Sequence, residues 1–241
     1  MRQTLSFTPS AKSEFLAGAR HTTPLIIAAT PFAVIYGALA IANGIPEWVI
    51  MAMSIFVFAG ASQFIAVALI ASGTPFAVIV LTVFVVNLRH LLYSASLMPQ
   101  LAHVPRLLRV PMAFWMTDET FAIIKHRQTG DNDQAGFIPY YLGSALFMYS
   151  NWFFFSWVGM AMGQSIPDIA NWGLDVAMVV AFVGIVVPAL QRRADWACAF
   201  TAAISICLTH DWPHQTGLLF SSLLAIGVAM VIEYLQREVV K

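Results

Sequence analysis

Long apolar runs with little between them dominate this chain, and they decide the solvent in which it folds. They fall at 24–42, 48–71, 75–98, 137–163, 174–190, 195–211 and 215–234. Each is close to the ~20 residues that an α-helix needs to cross the hydrocarbon core of a bilayer. An eighth, 111–124, is short and carries Asp118-Glu119. Of 241 residues, 59% are hydrophobic and 10% charged, against roughly 45–50% and about 25% in soluble domains. A water-soluble fold of this length could not hide so much apolar surface, so lipid must cover part of it. The expected fold class is all-α: a polytopic membrane helix bundle of about 6–8 hydrophobic segments, including broken or re-entrant helices. One integral membrane domain over 1–241 is expected.

The charge balance removes other classes. Twelve basic and twelve acidic residues leave no net charge, and nucleic acid needs a basic footprint. Cys198 and Cys207 lie nine residues apart in one apolar run. On a helix that is about 13 Å along the axis, too far for a disulfide. Asp131-Asn132-Asp133 lacks the remaining ligands of a calcium loop, so neither metal nor cofactor is expected. No HExxH or GxSxG pattern and no nucleophile–base spacing marks an intramembrane enzyme. The first apolar run exceeds the core of a cleavable signal, which predicts a retained span.

Lys and Arg in the loops set the orientation. With eight crossings and the N-terminus inside, Arg2, Lys12, Arg20, Lys125, Arg127, Arg192, Arg193, Arg237 and Lys241 all lie inside. Arg106 and Arg109 alone lie outside. If one of the first three segments dips and returns, and 111–124 does not cross, six crossings put all of them inside. Both arrangements predict cytoplasmic termini. Trp48, Trp172, Trp196 and Trp212 sit at segment edges, as indoles do at headgroup level. Trp152 and Trp157 fall inside 137–163 and are expected to pack against neighbours.

Polar groups inside such segments cost about 2.5–3.5 kcal/mol each when charged and mark functional positions. Gly60, Ser62 and Gln63 lie at the middle of 48–71. If the helix breaks at Gly60, the next turn offers free N–H groups and a positive dipole end, which can hold a carboxylate. The same small residues also suit close helix packing. On the helix carrying Asn87, Arg89 and His90, the 100° step puts Asn87, His90 and Ser94 on one face. Arg89, Tyr93 and Ser96 fall nearly opposite. Arg89 can grip a carboxylate, pair with a fixed acid or reach an interface. Asp118 and Glu119 point about 100° apart, so they do not share one site; an interior carboxylate there suits proton coupling. Asp175 heads the segment 176–190, where an acid also serves as an ordinary cap.

Together these stretches resemble a known family. Phe-Ala-Gly-Ala-Ser-Gln-Phe at 58–64 and Asn-Leu-Arg-His-Leu-Leu-Tyr-Ser-Ala-Ser-Leu-Met-Pro at 87–99 look like the AzlC family. So do Thr-Asp-Glu-Thr-Phe-Ala at 117–122, Leu-Asp-Val-Ala-Met-Val-Val-Ala-Phe at 174–182, and Gly18, Pro24, Pro31-Phe32 and Gly37. Many members carry a glycine after the early Pro-Phe, which Ala33 and Val34 do not supply. The resemblance implies a bacterial inner-membrane exporter of branched-chain amino acids, possessing a small AzlD-type membrane subunit as partner. A secondary-active, proton-coupled cycle follows as an expectation. Substrate contacts then fall to Gly60, Ser62, Gln63, Asn87, Arg89, His90 and Asp118, and the coupled proton to Asp118, Glu119 or Asp175. A channel or an intramembrane enzyme acting on a small polar metabolite is the alternative.

Overall fold

The computed structural model describes residues 10–102, 104–128, 136–165, 190–212 and 216–239, together with Val183 and Val187. Among these residues there are helices and no strand: α1 Ala11–Ala42, α2 Glu47–Phe56, α3 Gly60–Ala71, α4 Phe76–Leu101 and α5 Arg106–Phe114. They are followed by α6 Asp118–Gln128, α7 Phe137–Ser165, α8 Arg193–Leu208 and α9 Thr216–Val239. The membrane helix bundle expected from the apolar runs is therefore what the chain forms. Ala11–Ala42 and Phe76–Pro99 are each long and apolar enough to cross a bilayer. The run 174–190 lies outside the described residues apart from Val183, Val187 and Leu190.

Three boundaries differ from the apolar runs. Helix α1 starts well before Pro24, because Ser10 caps it: the Ser13 N–H donates to Ser10 Oγ at 3.2 Å. At 32 residues it is ~48 Å long, more than the hydrocarbon thickness, so one end stands outside the apolar layer. Run 48–71 is two helices, with Val57–Ala59 between them. Run 111–124 is no single helix either: α5 stops at Phe114, and α6 begins at Asp118 after Thr117 Oγ1 accepts the Thr120 N–H at 3.3 Å.

One compact unit is built from the described residues of 1–67 and 86–172. Its axis is the pair α1 and α7, which run parallel: Phe15 meets Gly143, Val34 meets Gly159 and Ile41 meets Gly163, the numbers rising together. The backbones touch. A Cβ at Gly143 would stand 1.9 Å from the Phe15 carbonyl oxygen, and one at Gly159 would stand 2.0 Å from that of Val34. Gly18 and Gly37 make the same approach from α1. Such contact suits association in lipid, where packing and polar bonds replace the hydrophobic drive. Two side-chain bonds cross the same seam, Thr22 Oγ1 to Ser144 Oγ at 2.6 Å and Thr30 Oγ1 to Asn151 Oδ1 at 3.0 Å. Near one end, Leu97, Leu101, Met112, Met116, Ile124 and Tyr141 form an apolar core joining α4, α5, α6 and α7.

The other unit comprises the described residues of 68–85 and 173–241. Its α8 and α9 are antiparallel: Gly217 lies against Thr209, and Arg192 Nη1 reaches Glu233 Oε1 at 3.6 Å. Asp195 closes the α8 N-terminus by accepting the Arg192 N–H at 2.9 Å. Cys198 and Cys207 are both free.

Large apolar side chains face outward in both units, among them Ile27, Phe84, Leu91 and Leu92 in α1 and α4, and Phe200, Ile204 and Met230 in α8 and α9. Lipid is the solvent such faces need. Trp48, Trp196 and Trp212 are exposed, and Trp152 is buried, as their places in the sequence imply. Trp157 is not packed inside as expected: it is 49% exposed, beside Phe154.

Candidate functional site

The interruption between α2 and α3 sets the first polar centre. The N–H groups of Val57 and Phe58 both donate to the Met53 carbonyl, at 2.9 and 3.1 Å, which ends α2. Phe58 then takes φ 43°, a left-handed conformation that is unusual for a bulky residue. Its ring is held by an edge-on contact with Tyr149 at 4.8 Å. The turn thus falls on Phe58, two residues before the expected Gly60. Gly60 is required for a different reason: a Cβ there would meet Trp152 Cη2 at 2.8 Å. The first intrahelical bond of α3 is Gln63 N–H to Ala59 O at 2.9 Å. Gly60, Ala61 and Ser62 precede it, so their N–H groups have no acceptor one turn back within the helix.

Gln63 turns back to α2, its Nε2 donating to Ser54 Oγ at 3.2 Å. Nine residues along an unbroken helix would separate the two by ~13 Å, beyond their reach. The chain therefore folds back at the interruption. Tyr36 of α1 lies in the same place, its hydroxyl donating to the Ile50 carbonyl at 3.0 Å and its ring stacked on Trp152 at 6.0 Å.

Helix α4 carries two further contacts on opposite faces. On one, Ser62 Oγ donates to Asn87 Oδ1 at 2.7 Å. On the other, Arg89 Nη1 donates to Asp118 Oδ2 at 2.6 Å and the Tyr93 hydroxyl donates to Asp118 Oδ1 at 2.6 Å. Tyr93 stacks on Phe121 at 4.5 Å, and Lys125 Nζ donates to Ser96 Oγ at 3.4 Å. The 100° step predicted this division into an Asn87 face and an Arg89–Tyr93–Ser96 face. It also means that the residues singled out do not converge on one site. Ser62 and Asn87 join α3 to α4; Arg89 and Asp118 join α4 to α6. His90 Nδ1 lies 3.2 Å from the Asn87 carbonyl oxygen of its own helix. Glu119 is half-buried beside Asp118 in the first turn of α6, where a negative charge suits the helix dipole. Asp175 lies outside the described residues. Among the described residues no group of His, Cys, Asp and Glu could hold a metal ion.

Two groups escaped the sequence reading. Glu14 Oε2 and Arg127 Nη2 form an ion pair at 2.9 Å, with side chains only 13% and 16% exposed. The Arg127 guanidinium lies over the Tyr140 ring at 4.2 Å, and the Tyr140 hydroxyl meets His21 Nδ1 at 2.8 Å. No spacing links residues so far apart in the chain. The second group, Trp152 and Ser156 on α7, did leave a signal: an indole and a hydroxyl four residues apart, hence on one face of an apolar helix.

Comparison with known proteins follows the same residues. The family model described as AzlC protein matches residues 24–166. The chain is 28% identical over 198 residues to "Inner membrane protein YgaZ" of Escherichia coli (strain K12), covering 81% of this chain and 77% of that one. It is 29% identical over 202 residues to an "Uncharacterized membrane protein" of Archaeoglobus fulgidus, covering 82% and 85%. A membrane protein of Helicobacter pylori is 25% identical over 192 residues, covering 78% and 82%. No solved structure matches the chain.

Proposed function

The chain belongs to the AzlC family, and from that membership we propose that it is the large subunit of a bacterial inner-membrane exporter for branched-chain amino acids. The observation that carries a transport role is the interrupted helix. In an apolar segment the turn at Val57–Ala59 leaves the N–H groups of Gly60, Ala61 and Ser62 without intrahelical acceptors, beside the buried amide of Gln63. Non-helical backbone at membrane depth is tolerated where it is buried in protein or lines a cavity. Discontinuous helices serve transporters in this way, with their N-terminal ends toward anionic substrate groups. In this reading the carboxylate of leucine, isoleucine or valine approaches the α3 N-terminus. Ser62, Gln63 and Asn87 supply the polar wall, and Phe64 and its aliphatic neighbours receive the side chain. Apolar pockets separate side chains differing by one methylene by only about 1–3 kcal/mol, so overlapping use of these substrates and methionine follows.

Arg89, Asp118 and His90 belong to the transport cycle in this proposal, the Arg89–Asp118 pair closing and opening as the proton-coupled step, with Asp118 or Glu119 taking the proton. A small AzlD-type subunit completes the exporter. The outward apolar face of α4 offers it a surface. Cytoplasmic termini follow from the loop charges. The Glu14–Arg127 pair supports part of this, since it puts the start of α1 and the end of α6 at one end of their unit.

The test is flux. The purified chain, with and without the small subunit, is reconstituted into vesicles under an imposed pH gradient, and labelled leucine, valine and methionine are followed. Outward-directed flux that needs the gradient and the partner is expected. A chain that moves none of these under any gradient refutes the reading, and chemically altered amino acid would point to an enzyme instead.

A further inference from the structure

Three buried polar atoms that lack a hydrogen-bond partner sit on residues gathered around Tyr36 and its neighbour Gly37: Gln63 Oε1, Trp152 Nε1 and Ser156 Oγ. Their residues are 0%, 7% and 0% exposed. Trp152 stacks on Tyr36, the Phe64 ring stands edge-on to Tyr36 at 5.9 Å, and the Ser156 backbone presses on Gly37. Gly60, the first residue of α3, lies against the Trp152 ring. Tyr36 itself is satisfied through Ile50. Folded proteins leave few buried polar groups unpaired, and each one left is costly. Three of them beside a free helix N-terminus make a place that a polar ligand completes.

The chemistry of the atoms says which ligand. An amide oxygen only accepts, an indole N–H only donates, and a hydroxyl does both. The first turn of α3 adds donors and a partial positive charge. No ionised side chain is among Tyr36, Gly60, Gln63, Phe64, Trp152 and Ser156. A ligand that brings both a donor and an acceptor and carries no net charge matches these groups. We propose that Gln63, Trp152 and Ser156 hold the polar head of an α-amino-acid zwitterion, with α7 supplying half of the site. The ammonium donates to Gln63 Oε1. The carboxylate accepts from Trp152 Nε1 and the N–H groups opening α3. Ser156 Oγ takes whichever group is nearer. This rests on the transport reading above and deepens it, adding Trp152 and Ser156 of α7 to the polar wall at the α3 N-terminus.

The experiment uses the full chain, reconstituted with its small subunit, and reads the leucine concentration that half-saturates flux. Leucinamide, a cation without the carboxylate, and 4-methylpentanoate, an anion without the ammonium, are tested as competitors. In the wild type, leucine competes and neither analogue does. Trp152→Phe keeps a ring on Tyr36 and removes the N–H together with the outer part of the indole; it should raise half-saturation about tenfold or more, the worth of a hydrogen bond to a charged group. Gln63→Glu should turn preference toward leucinamide. Ser156→Ala, a loss of one oxygen, keeps the proposal open to refutation should the other variants fail to accumulate; it should raise half-saturation in the same direction. If the wild type carries leucine flux and Trp152→Phe and Ser156→Ala saturate as it does, water fills these positions and the proposal is overturned while the transport reading stands. A wild type that moves no leucine overturns both.

Discussion

Arg89 and Asp118 meet at 2.6 Å between α4 and α6, and Tyr93 holds the other carboxylate oxygen, so both carboxylate oxygens of Asp118 are engaged. The side chains keep 29% and 38% of their exposure, so solvent screens the pair in part. Removing either partner strands the other charge. Arg89→Gln and Asp118→Asn are each expected to cost roughly 1–3 kcal/mol, read as a lowered unfolding midpoint in detergent. The double variant should recover most of the loss. A double variant no better than the worse single one would show that the two residues act independently. If both single variants accumulate and transport like the wild type, the pair has no part in the cycle.

The glycines of the α1–α7 seam should tolerate no side chain. Gly143→Ala puts a methyl 1.9 Å from a backbone oxygen, and overpacking of this kind costs about 1–3 kcal/mol or more. Nothing lies within 4 Å of a Cβ at Gly227 in α9, so Gly227→Ala should be neutral or stabilise by up to about 1 kcal/mol. Membrane levels of the two variants make the comparison. Equal accumulation would mean that the helices do not pack this closely.

Gly60 and Trp152 should be coupled. Gly60→Ala drives a methyl to 2.8 Å from the far end of the indole, and Trp152→Phe withdraws that end. The double variant is expected to be more stable than Gly60→Ala alone, with a coupling of about 0.5–3 kcal/mol in a double-mutant cycle. Additive losses would place the indole elsewhere.

Residues at the Glu14–Arg127 end should share one side of the membrane. With Cys198 and Cys207 replaced by alanine, cysteines at Ser10 and Lys125 are expected to react with an impermeant maleimide only when it reaches the cytoplasmic face. Labelling of the two from opposite faces would separate Glu14 from Arg127 and refute the packing of α6 on α1.

Periodicity accounts for what was legible beforehand. The opposed faces of α4 follow from a fixed 100° step, and the contacts of Asn87 and of Arg89 obey it. The break near Gly60 was one of two readings the residues left open, because small residues and an amide at mid-span suit a broken helix and close helix packing alike. Its location on Phe58 was not, since an aromatic residue takes φ 43° only when a fold holds the ring, as Tyr149 does here. Glu14 and Arg127 were invisible as a pair: each looks like an ordinary flanking charge, and only the packing of α6 on α1 brings them together. The split at Trp115–Thr117 was readable in part, for Thr117 followed by two acids is a helix start that the hydropathy of 111–124 obscured.

The shared direction of α1 and α7 imposes a parity. If α7 crosses the bilayer as α1 does, two spans that point the same way, with 94 residues between Ala42 and Phe137, oblige the chain to return to its starting face between them. The helices α2 to α6 must therefore supply an odd net number of passages. If α2 and α3 dip in and withdraw on one face, then of α4 and the α5–α6 stretch only one traverses the bilayer. If α2 and α3 together traverse it, the other two either both traverse or both stay. Four of the eight combinations vanish, and fixing any two of these elements by labelling fixes the third.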